Sequence, residues 1–126
     1  MSKLEFIEAD DYYDMACQWR DEGEWDKAIE CFKHVIELNK NFIYAYVDLA
    51  AVYAAKREYQ AAAAVLKRAV KIDPQFDLLY YNIAKYLYRC GDFPGAVKYI
   101  NEAADLNETE LYRRVKRIIL ERAKLK

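Results

Sequence analysis

Glycine and proline are nearly missing, at three and two in 126 residues. Sheets need turn residues at each reversal, so this scarcity excludes an architecture of hairpins and leaves helices. Histidine occurs once, as His34, and has no second imidazole with which to share a metal. The three cysteines, Cys17, Cys31 and Cys90, form no C-x-x-C pair and are odd in number. That fits neither a disulfide framework nor a thiolate zinc site. They are expected as reduced, small hydrophobes, which suits a cytoplasmic protein. No apolar run approaches the roughly 18 residues of a membrane-spanning helix. The first eight residues alternate apolar and charged, unlike a secretory leader. No P-loop, G-x-S-x-G or H-E-x-x-H motif occurs, so no enzyme chemistry, cofactor or metal is expected.

What is present is a core and a charged surface. Hydrophobic residues make up 55% and charged ones 33%, enough for one domain over residues 1–126. The net charge of −1 hides an uneven distribution. Residues 111–126 carry seven Lys/Arg against one acid, while residues 1–110 carry 13 basic and 20 acidic side chains.

A period of 34 residues runs through the chain. Tyr12, Tyr46 and Tyr80 are followed in step by Met15, Leu49 and Ile83, then Ala16, Ala50 and Ala84, then Trp19, Tyr53 and Leu87. A second block repeats Trp25, Tyr59 and Phe93; Ala28, Ala62 and Ala96; Phe32, Leu66 and Ile100; Val35, Ala69 and Ala103. Within each block the spacing is one face of a 3.6-residue period, so each unit predicts two amphipathic helices. Alanine at fixed places lets a helix pair approach closely. The breaks fall at Gly23, Arg57 and Gly91; glycine suits a left-handed helix end, and Arg57 implies a strained or differently closed turn.

Punctuation adds further expectations. Asp73-Pro74 reads as an N-cap followed by proline at the first helical position. Asn107 with Glu110, and Ser2 with Glu5, resemble capping boxes. Glu108 to about Lys124 predicts a closing helix with Leu111, Val115, Ile118 and Ile119 buried, and with Arg113, Arg114, Lys116 and Arg117 pointing away. Asp10, Asp11 and Asp14 read as acids near a helix start.

The period and its residue types resemble the tetratricopeptide repeat family. Residues 9–42, 43–76 and 77–110 are the three repeats, and the helix of about 108–124 is the cap. The middle repeat is closest, with Tyr46, Leu49, Ala50, Tyr53, Ala62, Leu66, Ala69 and Pro74 in place. Lys40 and Glu108 stand where the family prefers proline, and Leu87 where it prefers tyrosine. The resemblance implies an all-α, right-handed α–α superhelix of seven antiparallel helices. It also implies a non-catalytic scaffold that binds a peptide or helix in a groove lined by the first helix of each pair.

By repeat position, that implied groove consists of Tyr13, Asp14 and Cys17 in the first repeat, and Tyr44, Val47, Asp48 and Ala51 in the second. The third contributes Leu78, Tyr81, Asn82, Lys85, Tyr88 and Arg89. The five places of the chaperone carboxylate clamp known in the family fall on Tyr13, Cys17, Asp48, Leu78 and Asn82. None matches its Lys/Asn/Asn/Lys/Arg pattern, which argues against chaperone-tail binding. Acids at Asp14 and Asp48 and cations at Lys85 and Arg89 suggest a ligand with basic residues at one end and acidic residues at the other. The framework tyrosines Tyr12, Tyr46, Tyr53, Tyr59 and Tyr80 read as structural, His34 as a surface residue and Cys17 as a passive thiol. Two other uses attach to the basic tail. A homo-oligomer would set the tail against the acidic N-terminal repeat of another copy, helped by Leu120 and Leu125. Contact with nucleic acid or a membrane is disfavoured by the acidic body and the lack of a stacking platform.

Overall fold

The computed structural model describes the backbone of residues 3–124 and side chains from residue 8 to residue 124. Ser2, Leu125 and Lys126, with the capping box and apolar tail expected there, lie outside the described residues. Seven α-helices and no strand occur among them. These are α1 (Lys3–Asp21), α2 (Trp25–Leu38), α3 (Ile43–Ala55), α4 (Tyr59–Ile72), α5 (Asp77–Arg89), α6 (Phe93–Leu106) and α7 (Glu110–Lys124). Two compact units result: one ends at Glu58 and holds α1–α3, and the other begins at Tyr59 and holds α4–α7.

In the first unit α2 packs against both α1 and α3. Ala16, Ala28, Phe32, Val35, Ala45 and Ala50 are fully buried, and Leu49 nearly so. Of these alanines Ala16, Ala28 and Ala50 sit at repeating 34-residue places, where little more than a methyl group lets backbones come close. In the second unit α5 packs on α4 and α6, and α7 on α6. Its core combines Ala62, Leu66 and Ala69 with Leu79, Ile83, Ala84, Ala96, Ile100 and Ala103. Those spacings of three and four are the apolar stripe that the period predicts.

One member of the repeating list departs. Leu49 and Ile83 are buried, but Met15 is 45% exposed. α3 and α5 each have a helix before them to pack on, whereas α1 is the first described helix. The acids Asp10, Asp11 and Asp14 lie in the middle of the 19-residue α1, too far from its start for the dipole to explain them.

The first helix of each pair ends in the same turn. The amide of Glu24 donates to Trp19, that of Glu58 to Tyr53 and that of Asp92 to Leu87, each at 2.9 Å. The residue before each donor has positive φ: 76° at Gly23, 64° at Arg57 and 87° at Gly91. This is the Schellman closure, which satisfies otherwise orphaned carbonyls. An L-residue in that conformation costs roughly 1–2 kcal/mol, partly offset by the backbone entropy glycine would lose. Arg57→Gly is therefore expected to stabilise the protein by about 1 kcal/mol and raise its melting temperature by about 4 °C. Thermal melts followed by circular dichroism check this; an unchanged or lower midpoint would show that the arginine side chain outweighs the strain.

Two caps differ from expectation. α5 begins at Asp77, so Asp73 and Pro74 belong to the preceding turn and do not start the helix. The Pro74 carbonyl instead accepts the Tyr80 hydroxyl at 2.9 Å, and Tyr46 makes the same 2.9 Å bond to the Lys40 carbonyl. Asn107 ends α6, and α7 is capped by Thr109, whose Oγ1 accepts the Tyr112 amide at 3.1 Å.

The buried stripe of α7 is also rotated. Tyr112 and Ile119 are buried, while Leu111 and Ile118 are 48% and 51% exposed. Val115 and Lys116 are half-buried, so Lys116 does not point away as expected. Tyr112 decides the rotation, because its ring meets Tyr81 at 5.3 Å and its hydroxyl donates to Asp77.

Candidate interaction surfaces

α3 carries a single charged residue, Asp48, in thirteen positions. Ala45, Tyr46, Leu49, Ala50 and Val52 account for its buried side. The remaining side should be polar in an ordinary surface helix, but it is not. Tyr44 is 60% exposed, Ala51 and Ala55 are exposed, and Val47 is half-buried. Apolar surface left open along a helix commonly marks a place of contact.

The one charge on that helix is already engaged. Asp48 accepts the Tyr13 hydroxyl, and its other oxygen lies 3.6 Å from an Arg20 nitrogen. Tyr13 stacks on Phe42 at 4.9 Å and meets Phe32 edge-on at 5.8 Å. Burial first, and then the Asp48 bond, hold its phenol protonated far above the usual range. The Tyr13 hydroxyl and Asp48 thus serve the unit's own packing, so Asp48, expected as a charge offered to a ligand, already has partners within the unit. Asp14 remains exposed. Burial also pushes up the thiols of Cys17 and Cys31, the opposite of an activated nucleophile.

In the second unit the expected residues divide similarly. Leu78 is 38% exposed, Asn82 is half-buried and Lys85 is exposed beside the Tyr81 and Tyr86 rings. Arg89 donates to the Tyr59 hydroxyl at 2.9 Å and lies 4.9 Å over that ring. Like Asp48, it is engaged inside its own unit. Tyr81 is partly covered by Tyr112. Tyr88 meets Phe93 edge-on at 5.6 Å and lines a shallow hollow of about 350 Å³ with Arg117, Ile118, Glu121 and Arg122 of α7. The sequence reading missed the contribution of α7 to this surface; the signal was Tyr112, one residue beyond the leucine taken as buried.

A second hollow, of about 420 Å³, is lined by Tyr12, Glu30, Cys31, Lys33, His34 and Glu37. His34 meets Tyr12 edge-on at 4.2 Å. No group of three or more His, Cys, Asp or Glu residues poised to hold a metal occurs among the described residues. No described helix is long and apolar enough to cross a membrane.

Comparison with known proteins gives a consistent pattern. Residues 19–57 match the TPR repeat family and residues 53–119 the tetratricopeptide repeat family. TPR repeat-containing protein MJ1428 of Methanocaldococcus jannaschii is 27% identical over 101 residues, 80% of this chain. The match spans only 18% of that relative's length. Among solved structures, the N-terminal domain of stress-induced protein-1 from C. elegans superposes with a TM-score of 0.87 at 15% identity, covering 94% of this chain and 98% of that one. The first TPR of Spaghetti (RPAP3), bound to the HSP90 peptide SRMEEVD, has a TM-score of 0.82 at 14% identity, covering 94% of each chain. At these identities the likeness is one of fold: the all-α tetratricopeptide superhelix.

Proposed function

The chain belongs to the tetratricopeptide repeat family, and on that premise we propose that it is a non-catalytic scaffold holding a segment of another polypeptide. The observation that carries this reading is the open apolar side of α3, with Tyr44 60% exposed beside Val47, Ala51 and Ala55. Small side chains there let a ligand backbone approach, and tyrosine supplies contact area at low entropic cost. Asp14 on α1, in the same unit as α3, is the exposed charge suited to orient the ligand, since Asp48 already has partners. The clamp positions Tyr13, Cys17, Asp48, Leu78 and Asn82 lack the charges that grip a terminal carboxylate, so an internal segment fits better than a chaperone tail.

A displayed peptide library panned on the purified protein tests the reading. Expected are peptides with micromolar affinity that lose at least about tenfold with Ala51→Arg, a bulky charge at an exposed helical position. Circular dichroism should show the variant folded. Failure to select any peptide, or equal affinity for the variant, would overturn the assignment to α3.

A further inference from the structure

The geometry points to a self-association surface: the outer side of α7 docks on the acidic side of α1 of a second copy of this chain. The two compact units carry opposite charge. Residues 1–58 hold seven basic and thirteen acidic side chains, and residues 59–126 hold thirteen basic and eight acidic. The helix α1 has six acidic residues against two basic ones, α7 has six basic against two acidic, and each also exposes apolar surface.

On α7, Leu111, Arg114, Ile118 and Arg122 recur at intervals that place them on one side of the helix. Leu111 and Ile118 are about half exposed, and the arginines Arg114 and Arg122 beside them are both exposed. Arg113 is engaged by Glu108 and Glu110, at 3.4 and 3.0 Å, and is not part of the surface. Beside Ile118 the hollow bordered by Tyr88 gives the side a concave edge able to receive a side chain.

On α1, Asp11, Asp14, Met15 and Gln18 likewise share one side. Both aspartates are exposed, and Met15 is 45% exposed at a place where the other repeats bury Leu49 and Ile83. A thioether flanked by carboxylates is the counterpart of an isoleucine flanked by guanidiniums. Apolar surface supplies the contact, and opposite charge fixes which faces meet. Leu120, expected from the sequence to help this contact, emerges on a different side of α7 from Ile118 and takes no part. Because the two faces differ, the contact is heterologous and each bound copy leaves one face open for the next.

Analytical ultracentrifugation over a concentration series, at about 0.02 M and about 0.5 M NaCl, tests this, because exposed ion pairs weaken as salt shortens the screening length. The wild type should show species larger than a monomer at low salt, with association reduced at least about tenfold at high salt. Arg114→Ala/Ile118→Ala and Asp11→Ala/Asp14→Ala should each be monomeric alone, and far-UV circular dichroism should show both folded. An equimolar mixture of the two variants should give a heterodimer and nothing larger, since each retains one intact face. Ala51→Arg, which tests the peptide reading, should associate as the wild type does. A wild type that stays monomeric at low salt, association indifferent to salt or to either variant, or a mixture that fails to pair would overturn the proposal.

Discussion

Tyr112→Ala is expected to lower the melting temperature by about 15 °C. The side chain is 5% exposed, and truncating a buried aromatic costs roughly 3–5 kcal/mol. For a chain of this length each kcal/mol moves the midpoint by about 4 °C. The loss has two parts that a second variant separates. Tyr112→Phe keeps the ring against Tyr81 and removes only the bond to Asp77, worth about 1 kcal/mol or about 4 °C. Thermal unfolding of the three proteins by circular dichroism gives both numbers. An Ala variant that melts with the wild type would mean that Ile119 alone anchors α7.

The second large effect comes from a contrast between equivalent positions. Leu49→Ala should destabilise by about 4 kcal/mol and drop the midpoint by about 15 °C, because Leu49 is 1% exposed and its removal leaves a cavity. Met15→Ala, 34 residues earlier, should cost within about 0.5 kcal/mol, as exposed substitutions do. The two changes are alike in chemistry and in repeat position, so any difference reports the covering of one helix and the openness of the other. Equal losses would show that Met15 is a core residue after all.

That contrast also marks how far the sequence could be read. The alanines at 28, 62 and 96, with Phe32, Leu66 and Ile100, were legible because a buried stripe repeats at the pitch of the helix itself. The seven helices and the left-handed turns followed from the same arithmetic, and Arg57 announced its strain by standing where the other repeats have glycine. Met15 was misplaced because periodicity reports which side of a helix is apolar, not whether a neighbour lies against it. α7 was misread for a related reason. Its sequence offers two apolar stripes, through Leu111 and Ile118 or through Tyr112 and Ile119, and hydropathy ranks leucine above tyrosine. The choice is made by Asp77 and Tyr81, more than thirty residues back. Among the expected binding residues, exposure at Tyr44 and Ala51 could be foreseen from repeat position. The partners that occupy Asp48 and Arg89 could not, because both are side chains on other helices.

The bonds from Tyr46 and Tyr80 end on main-chain carbonyls, those of Lys40 and Pro74. A carbonyl is the one acceptor that every amino acid supplies in the same form. The tether therefore constrains the tyrosine and leaves the residue it reaches almost free to drift. Proline in one repeat and lysine in another are, to that hydroxyl, the same letter. A repeat built this way can diverge in its spelling at the turn while preserving its grammar in the helix.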